Sequence, residues 1–202
     1  NLSTTERNQL ALDRYIQGMK SKWQIGRDYE LYCGHNFDKN GFDVKYTGIE
    51  KKINDLGRDL IVESNHEIQI VQCKYWSKEK TIHEKHITQL FGTSIEFEIN
   101  EKPRKKVTPH FITNIYLSNT AREFAKRLGV KVTQGYYLKE FPRIKCNINR
   151  DEFGRTTKIY HLPFDQQYDK TKIDKPGEFF ALNVAEAEKK GFRRAFKYGG
   201  PK

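Results

Sequence analysis

Two apolar segments joined by a tight turn place the strongest constraint on the fold of this chain. Residues 59–63 and 67–76 are rich in Ile, Val and Leu, and only the Ser-Asn-His stretch 64–66 separates them. So short a connection of turn-forming residues favours two antiparallel neighbours in one sheet. We therefore predict a β-hairpin over residues 59–76.

Polar side chains interrupt the apolar pattern where these two strands begin and end. Asp59 opens the first strand, and Gln72 and Lys74 lie near the end of the second. Because side chains alternate along a strand, Gln72 and Lys74 share one face with Ile68 and Ile70 and emerge together. The end of the hairpin is therefore a candidate catalytic edge.

The residue types at this edge suit the hydrolysis of a phosphodiester. That reaction uses a hard cation such as Mg²⁺ or Mn²⁺, which prefers oxygen ligands. Asp59 offers a carboxylate, Gln72 an amide oxygen and Cys73 its main-chain carbonyl, while Lys74 can orient water or stabilise charge on the phosphate. Glu30, one helical turn after a glycine, adds a second carboxylate if its helix packs at the strand ends.

Each of these residues also has an ordinary structural explanation. Asp59 can be a turn residue, Glu30 a solvated helix charge, and Gln72 with Lys74 an exposed strand edge. The combination favours function, because an apolar strand rarely ends in Gln-x-Lys beside a strand that opens with Gly-x-Asp.

The remaining pattern predicts a mixed β-sheet flanked by helices, of the α/β class. One amphipathic helix is expected over residues 6–25, with Ser3, Thr4 or Thr5 as its cap, and a second from Gly26 to the Asn-Gly stretch 39–41. Further strands are expected at 42–46, 111–117 and 130–134, and helices at 83–97 and from about 120 to Gly129. The 111–134 strand-helix-strand unit adds a parallel part to the sheet.

Three segments follow from this organisation. We expect an N-terminal helix at 1–25, a catalytic core at 26–139 and a small basic, aromatic-rich module at 140–202, whose segment 185–197 is predicted to be a short helix broken near Gly191. The chain starts at Asn1 rather than at Met, so we expect a fragment or a processed form.

Composition narrows the class of partner. The 202 residues carry 37 Lys and Arg against 26 Asp and Glu, a net charge of +11 that favours polyanions. Three widely spaced cysteines without a CxxC pair argue against disulfides and thiolate zinc and fit a reducing, cytoplasmic setting. No apolar run is long enough to span a membrane in the visible chain, and no motif indicates a small-molecule cofactor.

Several residues outside the hairpin are candidates for DNA contact. His83 and His86, three residues apart on a predicted helix, also suggest zinc, but no third ligand has a telling spacing, so we favour DNA contact or a solvated face. The basic loop 102–106 has the same two explanations. The candidate contacts are Lys78, Lys80, His83, His86, Gln89, Lys102, Arg104, Lys105 and Lys106.

Three stretches together resemble the Mrr-like restriction endonucleases of the PD-(D/E)XK nuclease superfamily: residues 26–30, 55–61 and 72–76. The resemblance spans about 26–135. It implies a metal-binding Asp59, a Gln72 where many members have an acidic residue, a catalytic Lys74 and a supporting Glu30. It also implies a DNA endonuclease that acts in defence, in which two copies pair to cut both strands.

Two other functions remain open at this stage. One is a structure-selective or RNA-directed nuclease on the same fold, because specificity lies in loops and shape. The other is a DNA-binding module on a nuclease scaffold that has lost catalysis, since an amide binds Mg²⁺ less strongly than a carboxylate.

Overall fold

The computed structural model of the protein describes residues 2–47, 57–77 and 79–195. Helices in these ranges are α1 (Thr4–Gln17), α2 (Lys22–Lys39), α3 (Glu84–Glu101), α4 (Asn119–Leu128) and α5 (Val184–Lys189). The strands are β1 (Asp43–Tyr46), β2 (Leu60–Glu63), β3 (Glu67–Lys74), β4 (Lys106–Thr113), β5 (Lys131–Thr133), β6 (Ile144–Arg150), β7 (Thr156–His161), β8 (Phe179–Ala181) and β9 (Arg193–Arg194).

The chain forms two compact units. Residues 21–139 make up the first, which contains the candidate catalytic edge, and residues 1–20 together with 140–202 make up the second. The sequence did not indicate that α1 groups with the C-terminal residues, because that association joins segments more than a hundred residues apart.

The sheet of unit 21–139 is mixed, as predicted. Its strand order is β1-β2-β3-β4-β5, with antiparallel pairs from β1 to β3 and parallel pairs from β3 to β5. The hairpin is confirmed, with Leu60 opposite Val71 and Glu63 opposite Ile68. The parallel return of β5 beside β4 is also confirmed.

Helices cover both faces of this sheet. On one face, Ile68 and Ile70 of β3 join Phe111 of β4 in a core with Ile87 and Leu90 of α3. On the other face α2 packs against β1, β2 and β3. Burial of these branched side chains accounts for most of the favourable free energy of such a sheet.

The predicted helix over 6–25 was wrong, because two helices occupy that region. Ser3 caps α1 through a capping box with Glu6, and Ser21 caps α2 in the same way with Gln24. Gly18 adopts an extended backbone conformation and ends α1. The second capping box therefore starts α2 four residues before the predicted position at Gly26.

The strand predicted at 111–117 is shifted toward the N-terminus. β4 runs from Lys106 to Thr113, so it begins within the basic stretch and includes Pro109. Proline is unfavourable inside a central strand because it lacks an N–H donor, which is why the pattern favoured a later start. The helix stop at Gly129 is confirmed, with φ of 66° at that glycine.

Unit 1–20 plus 140–202 contains a second sheet, of order β8-β6-β7-β9. Ile144, Cys146 and Tyr160 pack with Leu12 of α1 and Val184 of α5. The helix predicted over 185–197, with a break near Gly191, is confirmed only in its first part: α5 ends at Lys189, and Arg193–Arg194 form a strand instead. Residues 196 and 197 lie outside the described ranges.

None of the helices described in this chain is long and apolar enough to cross a membrane.

Candidate active site

Asp59 lies immediately before β2 and is bonded to β3 through both its main chain and its side chain. Its N–H donates to the Val71 carbonyl at 2.9 Å, and its Oδ2 accepts the N–H of Cys73 at 2.6 Å. These two hydrogen bonds join Asp59 to Val71 and Cys73, the neighbours of Gln72 in the chain. The carboxylate of Asp59 is therefore fixed beside the end of β3 by a charge-assisted hydrogen bond.

Gln72 is buried at this point, with only 4% of its surface exposed. Its side-chain oxygen Oε1 has no hydrogen-bond partner among the described residues. A buried amide oxygen without a partner costs roughly 1–3 kcal/mol, so such an atom in a native fold calls for an explanation. A ligand that coordinates the Oε1 atom of Gln72 is such an explanation.

Gly57 gives the Gln72 side chain its space. A Cβ at residue 57 would lie 2.9 Å from Nε2 of Gln72 and 3.1 Å from Nε2 of Gln89, and the backbone φ there is +75°. Both the close approach and the left-handed conformation require glycine. Two glutamine amides, one from β3 and one from α3, therefore converge on this turn.

Lys74 ends β3 on the same face as Ile70 and Gln72. Its Nζ lies 5.3 Å from the centre of the Trp76 ring, and Nζ of Lys80 lies 5.1 Å from the same ring. His86 contacts this indole edge-on, with ring centres 5.1 Å apart. Burial lowers the pKa of His86 to about 4, with a smaller effect of Lys74, so the imidazole is neutral at pH 7.

Glu30 lies on α2, and its carboxylate acts on the thiol of Cys73. Burial raises the pKa of the Cys73 thiol, a hydrogen bond with Cys33 raises it further, and the carboxylates of Asp59 and Glu30 add to the effect. Both carboxylates therefore lie near Cys73. Asp59, Gln72 and Lys74 are grouped at the carboxyl end of β3, whereas Glu30 acts on the Cys73 side chain, which alternation directs to the α2 side of the strand.

The candidate DNA contacts fall into two groups. Lys80, His83, His86 and Gln89 lie between the end of β3 and the first turns of α3, close to the site. Lys78 lies outside the described residues.

The basic loop is at the other end of the same strands. Lys106 pairs with Glu67, whereas Lys74 pairs with Thr113, so seven strand steps of about 3.3 Å separate the loop from the site, or about 23 Å. Lys105 in this loop donates to Glu63 at 2.7 Å and to the Ser64 carbonyl at 2.8 Å. The structure thus does not bring Lys102, Arg104, Lys105 and Lys106 to the catalytic edge.

The donor atoms at the site are oxygens. Within residues 2–47, 57–77 and 79–195, no group of three or more His, Cys, Asp or Glu side chains could hold a metal ion. The oxygens at the end of β3 are the Asp59 carboxylate, the Gln72 amide and the Cys73 carbonyl, ligand types that suit Mg²⁺ or Mn²⁺ rather than zinc. The unpartnered Oε1 of Gln72 fits such an ion.

Two residues at the site were missed as functional candidates by the sequence analysis. Gly57 appeared only as part of a motif, although a glycine directly before Arg-Asp at a strand start signals a close approach. Asn114 carried no signal at all, because its contact with residue 76 links positions 38 residues apart.

Comparison with known proteins agrees with this architecture. The restriction endonuclease family model Mrr_cat matches residues 22–141, more than half of the chain. The chain belongs to this family, and its fold is the mixed α/β fold of restriction endonucleases.

Two solved structures are similar to the chain. One is a crystal structure of a protein of unknown function, AF1548, with a TM-score of 0.45 and 17% identity over 59% of this chain and 61% of that chain. The other is the MspJI restriction endonuclease in complex with a 27-mer oligonucleotide, with a TM-score of 0.39 and 11% identity over 67% of this chain and 31% of that chain. The chain thus spans about three fifths of the first structure and under a third of the second. No curated protein matches the sequence.

Proposed function

We propose that this protein is a divalent-metal-dependent endonuclease that hydrolyses DNA phosphodiester bonds. Family membership supports nuclease chemistry. The observation that carries the proposal is the pairing of a fixed carboxylate with an unsatisfied amide: Asp59 is held at 2.6 Å from the N–H of Cys73, and the buried Oε1 of Gln72 lacks a partner among the described residues.

Asp59, Gln72 and the carbonyl of Cys73 would hold the ion, with Glu30 supporting it. A divalent cation bound there supplies Lewis-acid polarisation of the phosphate and lowers the pKa of water. The amide contributes no charge, so affinity for the ion rests on the two carboxylates. Millimolar Mg²⁺ or Mn²⁺ is therefore the concentration range to examine.

Lys74 performs the second part of the chemistry. Its ammonium can donate to the attacking water or to a phosphate oxygen, and charge develops on those oxygens in the transition state. No carboxylate among the described residues lies within ion-pair distance of this ammonium, which lies near the Trp76 ring.

DNA is held by the groups near α3. Lys78 and Lys80 would contact phosphates, while His83, His86 and Gln89 offer further hydrogen-bonding groups. Lys102, Arg104 and Lys106 would contact phosphates about 23 Å from the cut, at the other end of β4. Lys105 is already bonded to Glu63.

A plasmid-nicking assay tests the proposal. Wild type, Asp59→Ala and Lys74→Ala are incubated with plasmid, linear duplex and single-stranded DNA, with Mg²⁺, Mn²⁺ or EDTA. We expect wild type to cut only with metal and both variants to lose at least a hundredfold in rate while they still bind DNA. Lys126→Ala, on the exposed side of α4, is the matched control and should cut normally.

Cleavage that persists in both variants contradicts the mechanism. Preference for single-stranded or branched substrates, or for RNA, would assign the same chemistry to a different nucleic acid. We further propose defence against foreign DNA as the biological role, with two copies acting together. Linear product that appears without a nicked intermediate supports paired action.

The second candidate function is DNA binding by a scaffold without catalysis. It is favoured by one observation, the amide at residue 72 in place of a carboxylate. Calorimetric titration with Mn²⁺ separates the two: the absence of both metal binding and nicking assigns the protein to the binding class.

A further inference from the structure

We propose that Trp76 is a positioning residue for catalysis, whose indole holds the ammonium groups of Lys74 and Lys80 in place for the substrate phosphate. This inference rests on the proposed function, because it assigns a role relative to Lys74. It adds a residue that touches neither metal nor water and acts through the lysines.

The main chain of Trp76 is fixed by one side chain from the neighbouring strand. The Trp76 N–H donates to Oδ1 of Asn114 at 2.8 Å, and Nδ2 of Asn114 donates to the Trp76 carbonyl at 2.8 Å. Asn114 directly follows β4 and is 3% exposed. Its amide thus extends the β3–β4 ladder two residues past Lys74, which prevents the chain from fraying just after the catalytic lysine.

Two ammonium groups lie close to the Trp76 indole. The ammonium groups of Lys74 and Lys80 lie 5.3 and 5.1 Å from the ring centre, inside the range in which the negative face of an aromatic ring attracts a cation. In the described ranges neither ammonium has a carboxylate within ion-pair distance. A carboxylate would hold these groups but cancel their charge, whereas an indole holds them and leaves the charge available to a phosphate.

His86 packs against the same indole and adds no charge to the cluster. Its ring meets the indole edge-on at 81°, and its Nδ1 is buried without a hydrogen-bond partner among the described residues. Neutral imidazole packs against the indole and does not repel the two ammonium groups. The arrangement confines the rotamers of Lys74, whose free side chain would otherwise lose considerable entropy on reaching the transition state.

The test compares Trp76→Phe with Trp76→Leu in steady-state cleavage of a short duplex. Phe keeps a π face and Leu does not. We expect Trp76→Leu to lower kcat roughly tenfold with KM changed less than about twofold, and Trp76→Phe to stay within about threefold of wild type. Trp23→Leu, which removes the indole beside Arg27, is the matched control and should cut at the wild-type rate.

Thermal unfolding of each variant separates positioning from folding. Trp76→Met is measured alongside, because its flexible side chain fills the space of the ring, and it should lose kcat as Trp76→Leu does. This inference alone is overturned if the wild type is active, its cleavage depends on Lys74, and both Trp76→Leu and Trp76→Met cut at the wild-type rate. A Trp76→Phe variant as slow as a stably folded Trp76→Leu also overturns it. Inactive wild type on every substrate overturns the proposed function and this inference together.

Discussion

Glutamine and histidine side chains lie next to both faces of β3. On one face they are hydrogen-bonded, and on the other they have atoms without a partner among the described residues. Gln69 faces α2, where its Oε1 is 2.8 Å from Nδ1 of His110 and its Nε2 donates to Glu67 at 2.6 Å. Gln72, three residues later, faces α3 with its Oε1 unpartnered among the described residues. Both glutamines are almost completely buried.

Two histidines near β3, His110 and His86, differ in hydrogen bonding in the same way. His110 on the α2 side has both ring nitrogens bonded, to Gln69 and to Thr133, each at 2.8 Å. His86 on the α3 side has a buried Nδ1 without a partner in the described ranges. A satisfied polar group stabilises the fold, whereas an unsatisfied one lowers stability unless a ligand arrives. Gln69 and His110 thus stabilise the fold, whereas Gln72 and His86 are the groups available to a ligand.

The largest expected effect lies on the satisfied face and concerns pH. Burial lowers the pKa of His110 to about 3 in the folded protein, against about 6.5 when unfolded. The unfolded state therefore binds the proton first, so stability is complete above pH 6.5 and falls as pH drops toward 3. Between pH 7 and pH 4 the linked loss is on the order of 3 kcal/mol.

Urea unfolding between pH 7 and pH 4 measures this loss. His110→Gln should flatten the pH dependence over that range, because the titrating ring is gone. A variant whose unfolding free energy falls as steeply as that of wild type would show that His110 is accessible to protons in the folded state.

The next effect compares the two glutamines directly. Gln69→Leu removes a partner of buried His110, and we expect a loss of roughly 2 kcal/mol in the free energy of unfolding. Gln72→Leu removes an unsatisfied oxygen, so stability should change by less than about 0.5 kcal/mol or rise. Only Gln72→Leu should weaken Mn²⁺ binding in calorimetry. Equal losses of stability in the two variants would remove the distinction between the faces.

Much of the candidate site could be predicted because alternation along a strand is a local rule. It placed Gln72 and Lys74 on one face, and the short turn placed Asp59 beside them. The boundary of β4 failed where a local signal, the proline, competed with tertiary structure, and the start of α2 failed because the local capping box of Ser21 and Gln24 was overlooked.

What could not be predicted depends on long-range contacts. The amide of Asn114 clamps Trp76 from the adjacent parallel strand, and Gly57 meets Gln89 from a helix that starts 27 residues later. The second sheet was missed because two of its strands, β8 and β9, have only three and two residues, although Ile144, Cys146 and Ile148 of β6 alternate with polar residues as a strand requires. No single-sequence pattern encodes which of these side chains is satisfied.

An effect of similar size is expected at the turn that supports the unsatisfied face. Gly57→Ala meets both a φ of +75° and the amides of Gln72 and Gln89, whereas Gly41→Ala meets a φ of +82° with no atom within 4 Å. Backbone strain alone costs about 1 kcal/mol, and we expect Gly57→Ala to cost about twice that.

The two glycine variants also differ in activity. Displacement of the Gln72 amide should weaken Mn²⁺ binding in Gly57→Ala and slow DNA nicking, while Gly41→Ala should nick at the wild-type rate. Calorimetry and urea unfolding on the same preparations check both parts. Normal metal affinity in Gly57→Ala would mean that the Gln72 amide does not bind the ion.

The smallest effect extends the same contrast to lysines. Lys105 is paired with Glu63 at 2.7 Å, a bond that lowers the pKa of that carboxyl, whereas Lys80 has no carboxylate partner in the described ranges. Lys80→Gln should weaken DNA binding a few-fold and reduce the slope of log affinity against log salt by about 0.9, the value for one phosphate contact. Lys105→Gln should leave that slope unchanged and cost at most about 0.5 kcal/mol of stability, because the pair is part-exposed. Fluorescence anisotropy at several salt concentrations measures the slopes. A lower slope for Lys105→Gln would mean that Lys105 contacts a DNA phosphate although it is bonded to Glu63.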